Sequence, residues 1–341
     1  MTERKARYRV TSFDVAERAG VSQSTVSRAL AGSTAITEPT RAKVMKAAEE
    51  LGYVVDERAA RLRRGKTGTL AVVVIGRPDE SASGLNPFHF SLLGSVCAAG
   101  AKQGYETLVS FQSEEGRFFG KYEERGQADA MIVIGTGVNN AAWDYFRELS
   151  GDGRSVAYWS SPFDELEWVR SDNYEGGILA TTELLDAGCK HVVHIGSADS
   201  PQKQFGERND GYAKAITDRG LKPVLFTVDE SLDREEQGRK AARELIASGK
   251  PFDGLFVSTD TIALGVLEVF NAEGISVPED CSMIGFDGLR AGQYSNPPLT
   301  TIEPDIDVAG ALLVRAALGG EEATERRVPV CLLHRRSVKR R

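Results

Sequence analysis

The sequence has no run of about 18 apolar residues, the minimum needed to cross a bilayer as a helix, so no membrane span is expected. Its start, MTERKARYRV, is charged and has no apolar core of the kind a secretory signal carries, so the expected compartment is the cytoplasm. Cysteines are few and far apart: Cys97, Cys189, Cys281 and Cys331 form no CxxC pair, which points to reduced, buried thiols rather than disulfides or a metal centre. The four histidines, His89, His191, His194 and His334, lack metal-ligand spacing. His191 and His194 stand three apart in a probable strand, where their side chains leave opposite faces, and a structural role is expected of both.

Enzyme signatures are missing as well. There is no GxSxG elbow and no GxxxxGK[ST] phosphate loop. GTGVNN, at Gly135 to Asn140, places Asn140 where a dinucleotide fingerprint requires its third glycine. No metal and no cofactor is expected, and an enzyme is disfavoured. At 341 residues and 41% hydrophobic content, the chain has the length for more than one domain and enough apolar side chains for a sizeable core.

The net charge of -7 hides a division. Residues 1–66 hold 14 Lys and Arg against 8 Asp and Glu, a net +6, whereas the remainder holds 28 against 41, a net -13. A small basic module on an acidic body concentrates attraction for phosphates at one end.

That module carries the most informative stretch, Val21 to Leu30 (VSQSTVSRAL), preceded by TSFDVAERAG. Thr11 and Asp14 have capping-box spacing, and Phe13, Val15, Ala16 and Ala19 recur at helical intervals, predicting a short helix that buries that face and stops at Gly20. Ser22 opens a second helix, with Val26, Ala29 and Leu30 inward and Gln23, Ser24, Ser27 and Arg28 outward. Two short helices around a Gly-containing turn make a helix-turn-helix, which lays its second helix in the DNA major groove. A third helix, about Glu38 to Leu51, is expected to start at a Thr37 cap, to bury Val44, Ala47, Ala48 and Leu51, and to end at Gly52.

DVAERAGVSQSTVSRAL and TRAKVMKAAEELGY (Thr40 to Tyr53) closely resemble the DNA-binding headpiece of the lactose-repressor (LacI/GalR) family of transcription regulators. By position in that motif, Gln23, Ser24 and Arg28 are implied as base-reading residues, and Ser22, Thr25 and Ser27 as phosphate contacts. Arg and Gln can bond two acceptors or donors of one base edge, worth roughly 1–3 kcal/mol of discrimination each. DERAARLRRGK (Asp56 to Lys66) has the place and length of the family's hinge helix, in which Leu62 inherits the role of a minor-groove wedge; Val55 and Asp56 depart from the family's Pro-Asn there. So short a helix is unstable alone in water and is expected to order only with DNA and a second hinge.

From Thr69 onward, short apolar strands alternate with helical segments, the pattern of parallel sheets covered by helices on both faces. The predicted strands are Leu70 to Ile75, Thr107 to Phe111, Ala130 to Ile134, Val156 to Trp159, Val192 to Ile195, Val224 to Val228, Leu255 to Val257 and Met283 to Phe286. Predicted helices include Phe90 to Gln103, Gly176 to Ala187, Asn209 to Arg219, Glu235 to Ser248 and Thr261 to Ala272. LNPFHFSLL, SDNYEGGILATTELL, ERNDGY, STDTIALG, VPEDCSMIGFDG and PPLTTI resemble successive blocks of the family's effector domain, in order.

The resemblance implies an all-α helix-turn-helix headpiece (1–55), a hinge (56–66) and an α/β periplasmic-binding-protein-like effector domain of two doubly wound lobes (67–341). It sets the first lobe at about 67–165 and 297–325, and the second at about 166–296 and 326–341.

Ligands of open parallel sheets lie at the carboxyl ends of the strands. Arg208, Thr259 and Asp287 meet that rule and fall on the family's ligand-contacting positions, and Phe88 and His89 match a ligand-facing pair. Ser160, after the strand VAYW, is a further candidate, with Trp159 as a stacking face or a core aromatic. For Arg208 and Asp287 the plainer alternative is a structural ion pair. Thr259 stands where Asn is common and His89 where an aromatic is; Asp233 lies near a position often aromatic, and DESASG (Asp79 to Gly84) lengthens a neighbouring loop. These departures retune the pocket. The expected function is a repressor, a homodimer on a pseudo-palindromic double-stranded operator, controlled by a small-molecule effector. A carbohydrate is the first class expected; a nucleoside, a phosphorylated metabolite or loss of effector response are the alternatives.

Overall fold

The computed structural model describes residues 10–53, 65–78, 86–135, 138–151, 155–319 and 326–339. The chain divides into two compact units, Met1–Lys66 and Thr67–Arg341.

In the first unit, α1 (Ser12–Ala19) begins at a complete Thr11/Asp14 capping box and ends at Gly20, whose φ of 66° is the left-handed conformation glycine adopts freely. α2 (Gln23–Leu30) is capped by Ser22, whose hydroxyl accepts from the Thr25 amide at 3.2 Å. α3 (Glu38–Leu51) ends at Gly52, again left-handed. Val15, Ala16, Val26, Ala29, Val44, Ala47 and Ala48 form the core shared by the three helices. Two expectations fail. Thr37 makes no cap bond, its hydroxyl being paired with that of Thr40. Phe13 is 71% exposed rather than buried, because the small helices close on Val15 and Ala16 and leave its face of α1 outside the core.

The second unit holds two six-stranded sheets. The first is built from β1 (Thr69–Ile75), β2 (Glu106–Gln112), β3 (Ala130–Gly135), β4 (Val156–Trp159), β5 (Trp168–Ser171) and β11 (Arg327–Val328), in the order β11-β5-β4-β3-β1-β2. All its pairings are parallel. The second comprises β6 (Val192–Gly196), β7 (Leu225–Thr227), β8 (Gly254–Val257), β9 (Ser282–Phe286), β10 (Thr300–Pro304) and β12 (Val330–Leu333), in the order β12-β10-β9-β8-β6-β7, with only the β10–β12 pairing antiparallel.

The continuous apolar run of β1 reflects helices on both of its faces. Leu70, Val72 and Val74 pack with Leu92 and Val96 of α4 (Pro87–Lys102) and with Leu313 of α10 (Ile306–Ala317), while Ala71, Val73 and Ile75 pack with Trp143 and Phe146 of α5 (Asn140–Ser150). The second sheet repeats the scheme. Val193, Ile195, Leu255 and Val257 meet α8 (Arg234–Ala247) and α9 (Asp260–Ala272), and Val192, Phe256, Ile284 and Phe286 meet α6 (Asn173–Asp186) and α7 (Lys203–Asp218).

In both sheets the chain reverses its direction of travel at the first strand, leaving a switch point beside β1 and beside β6. The sheets also locate the crossings between lobes. β5 lies in the first sheet and β10 in the second, so the chain crosses after Ser171 and returns after Pro304, each several residues later than the expected limits at 166 and 297. The third crossing follows Val328 rather than 326. α4 starts three residues before the predicted Phe90, because Asn86 caps it and Pro87 fits its first turn. α7 starts at Lys203 rather than Asn209. Among the described residues, no helix is long and apolar enough to cross a membrane. The cysteines are free thiols; Cys281 is buried as expected, whereas Cys97 and Cys189 are half-buried and Cys331 is exposed, contrary to the expectation of burial.

Candidate functional site

Two candidate sites lie in different units. On α2, Ser22 and Ser24 are exposed and Thr25 and Ser27 half-buried. The Ser22 hydroxyl, besides capping the helix, lies 2.9 Å from those of Ser24 and Thr25. Gln23 donates from Nε2 to the Ser12 hydroxyl at 3.2 Å, which ties its amide back to α1. Arg28 is exposed, with no ion-pair partner among the described residues, so its guanidinium is available to a base edge or a phosphate. Leu62 lies outside the described residues.

In the second unit, Phe88, His89, Ser160, Arg208, Thr259 and Asp287 all line one cleft of about 370 Å³, together with Trp159 and Asp233. Ser160, Thr259 and Asp287 come from the carboxyl ends of β4, β8 and β9, as the switch-point rule requires, Phe88 and His89 from the start of α4, and Arg208 from the second turn of α7. The cleft is therefore a place where both sheets present their loop ends to each other.

Arg208 is buried at its centre. Its Nε donates to Asn173 at 2.9 Å, Nη1 donates to the Ser258 carbonyl, and the guanidinium lies 3.5 Å from the Phe286 ring centroid. Nη2 stands 3.5 Å from Asp287 Oδ1, a loose pair that leaves Oδ2 buried with no partner. Burial raises the Asp287 carboxyl to about 6, against the pull of Arg208 and Arg234. Its φ of 112° is rare for a residue with a side chain and turns the carboxylate toward the cleft loops.

The tight approach of α6 and α7 sets the height of Arg208: a Cβ on Gly177 would lie 2.4 Å from the Arg208 carbonyl, and one on Gly211 would lie 2.1 Å from that of Tyr174. Gly238 and Gly265 do the same for α8 and α9, where a Cβ would meet backbone carbonyls at 2.0 and 2.1 Å.

Phe88 packs against Trp159 with ring centroids 5.7 Å apart. The half-buried His89 imidazole has its pKa lowered to about 4 by burial and by the charge of Arg234, so it is neutral near pH 7, and its Nδ1 is buried with no partner. Thr259 caps α9 by accepting from the Ile262 amide at 3.2 Å, so part of its hydrogen-bonding capacity goes to the fold. Thr261, which sequence reasoning did not single out, has a buried hydroxyl with no partner in the same wall.

Arg77 and Arg234 were also missed. Arg77, just past β1, reaches across the cleft and donates to the carbonyls of Leu232, at 2.6 Å, and Glu230, at 2.5 Å. Ser160 donates to Gln204 at 3.1 Å, and Lys203 pairs with Asp164. Glu207 of α7 accepts from Arg170 of β5 at 2.9 Å and from Arg327 of β11 at 2.6 Å. Burial raises the Glu207 carboxyl, and bonds from Arg327, Asn173 and Arg170 more than offset it, holding it below its ordinary value. The lobes are thus bridged by hydrogen bonds at several points.

His194, in β6, is buried, with Nδ1 3.0 Å from the Phe256 carbonyl and Nε2 3.2 Å from the Ser258 hydroxyl; its pKa is lowered to about 3, chiefly by burial. It belongs to the core, while His191 precedes the strand and is exposed. No cluster of metal-binding side chains exists among the described residues.

Comparison with known proteins gives two family matches: residues 13–56 fit bacterial regulatory proteins of the lacI family, and residues 181–338 fit a periplasmic binding protein-like domain. The chain is 30% identical over 307 residues to the HTH-type transcriptional repressor CytR of Escherichia coli (strain K12), covering 89% of this chain and 87% of that protein. It is 27% identical to the HTH-type transcriptional regulator CelR of Thermobifida fusca, covering 91% of each. Among solved structures, a transcriptional regulator CelR–cellobiose complex matches with a TM-score of 0.64 at 27% identity, over 96% of this chain and all of that one. A lac repressor dimer bound to operator and an anti-inducer shares the fold, with a TM-score of 0.76 at 21% identity, over 96% of this chain and 99% of that one.

Proposed function

The chain belongs to the lacI family of bacterial regulatory proteins, and from that premise we propose that it is a transcriptional repressor whose hold on an operator is set by a carbohydrate bound between its two lobes. It is a DNA-binding regulator and not an enzyme. The observation that carries the effector reading is convergence: six residues spaced from Phe88 to Asp287 wall a single cleft that also has unpartnered buried polar atoms. A carboxylate and a guanidinium can each engage two neighbouring hydroxyls, which fixes a sugar in one orientation. Because the lobes already bond across the cleft, a ligand that adds or breaks bridges shifts their relative angle, and with it the DNA-binding units.

The domain plan that goes with this reading is a headpiece to about 55, a hinge at 56–66 and an effector domain beyond. Gln23, Ser24 and Arg28 read bases, Ser22, Thr25 and Ser27 contact phosphates, and Leu62 wedges the minor groove. The protein acts as a homodimer in the cytoplasm. Edge strand β2 and α4 support a dimer surface there, since Leu108, Val109, Phe111 and Phe90 are exposed, with the two Phe rings 6.1 Å apart. Arg28→Ala tests the DNA half: binding to the promoter region beside its own gene should weaken about tenfold or more while binding to random DNA falls little. Equal losses on both would reject base reading by Arg28.

A further inference from the structure

Arg234 is placed where a cation costs most. It is the first residue of α8, at the positive end of the helix dipole, and the N-cap Asp233 beside it makes no side-chain cap bond. Its Nη1 donates to Gln237 at 3.0 Å and Nη2 to Gln202 at 2.9 Å, both neutral amide oxygens. Gln202 in turn donates to Glu230 at 2.9 Å, so an amide stands between that carboxylate and Arg234.

The two buried arginines of the cleft region are answered directly, Arg170 by Glu207 and Arg208 by Asp287, whereas Arg234, half-buried, has no carboxylate within ion-pair reach among the described residues. Burial is the largest influence on it and lowers its pKa to about 10, while Glu230 and Asp287 attract its charge and Arg77 and Arg208 repel it. The guanidinium also lies 4.7 Å from the Phe205 ring centroid, so its direct partners are two amide oxygens and an aromatic face, and its charge is left for a ligand anion to answer.

Resting on the cleft being the effector site, we infer that the effector is a sugar acid, whose single carboxylate is taken by Arg234 of the second lobe and by the unpartnered His89 of the first, while its hydroxyls donate to Asp287. The two ends of such a ligand match the two kinds of unfilled group. Ionised, Asp287 Oδ2 is an acceptor only and requires a donor; a guanidinium is a donor only and requires an acceptor, and the neutral imidazole in its Nδ1–H tautomer presents a donor to the same acceptor. One negative charge suits one unanswered guanidinium. A dianion such as a phosphate ester would also meet Glu230, Asp233 and Glu235, which share the lining. Because His89 and Arg234 belong to opposite lobes, a carboxylate shared between them adds a bridge across the cleft.

The experiment is calorimetric titration of the full chain with neutral aldoses, the matching uronic and aldonic acids, and the matching sugar phosphates. An acid should bind about tenfold or more tightly than its neutral parent. Arg234→Gln should bring acid and parent near parity, and Arg234→Lys, which keeps the charge, should retain part of the preference. A neutral parent equal to its acid, a phosphate preferred through Arg234, or an acid preference that survives Arg234→Gln would each overturn the inference. Should Arg234→Gln fail to fold, the wild-type comparison of acid with parent still decides. Neutral sugars binding without acid preference sink this inference alone; binding of neither class sinks the effector reading with it.

Discussion

Gly177→Ala tests whether helix packing holds the cleft in register. The added methyl would lie 2.4 Å from the Arg208 carbonyl and 3.0 Å from the Tyr212 amide, both backbone atoms that cannot rotate away. Ordinary contact begins near 3.4 Å, so α6 and α7 must separate by about 1 Å. Overpacking of this kind costs about 1–3 kcal/mol, with the upper end expected against backbone on both sides, and the helix preference of Ala returns at most about 1 kcal/mol. A net loss of about 2 kcal/mol corresponds to a melting temperature roughly 4–8 °C lower for a unit of this size. The same displacement moves Arg208 away from Asn173 and Asp287, so effector affinity should fall about tenfold or more. Gly100→Ala is the control. Its nearest neighbour is the tip of the Leu70 side chain, at 3.1 Å, which can give way, so stability should change by less than about 1 kcal/mol and the cleft should be untouched. Thermal unfolding and ligand titration of the two variants decide the matter; a Gly177→Ala protein with wild-type melting and affinity would refute the packing argument.

Effector affinity should depend on pH through Asp287. Its folded carboxyl pKa is raised from 3.8 to about 6, so below that pH the free protein holds a proton that ligand hydroxyls must displace. Affinity should therefore rise by up to about tenfold per pH unit below 6 and level off above about 7, with His89, lowered to about 4, staying neutral throughout; Asp287→Asn should flatten the profile, and a wild-type profile already flat from pH 5 to 7 would count against it. The same raised value stabilises the ligand-free fold below about 4, a contribution lost as pH rises through 6, so melting of the wild type relative to Asp287→Asn should worsen over that interval. Arg77→Ala removes the guanidinium bonds to the Glu230 and Leu232 carbonyls across the cleft and should speed effector release about tenfold, seen as faster recovery of tryptophan fluorescence; an unchanged rate would show that these bonds do not clasp the lobes.

What could be read from the residues alone depended on how local the cause was. The Thr11/Asp14 capping box, the Ser22 cap and the left-handed glycines at positions 20 and 52 act within one helical turn, and each forms as its sequence suggests. The placement of Phe88, His89, Ser160, Arg208, Thr259 and Asp287 in one wall followed from strand ends together with a family pattern. Phe13 escaped because periodicity shows a helix face, not whether a partner is wide enough to cover it. β5 was overlooked since WVRS carries a charge, and Arg170 is tolerable in a buried strand because Glu207 on α7 and the Ser161 carbonyl answer it. Arg77 and Arg234 lie in polar loop and helix-start contexts that look solvated; their role depends on which loops of the two sheets face each other, a long-range property no short window contains.

Whether one molecule joins operator reading to a ligand in the cleft is decided by titrating promoter DNA from beside its own gene with the purified full chain, alone and with each sugar and sugar acid. Promoter DNA should bind far more tightly than random DNA, and a ligand should shift that binding about tenfold in the wild type but not in Asp287→Asn. Specific binding that no such ligand moves would contradict the effector half, and binding no tighter than to random DNA would contradict the regulator itself.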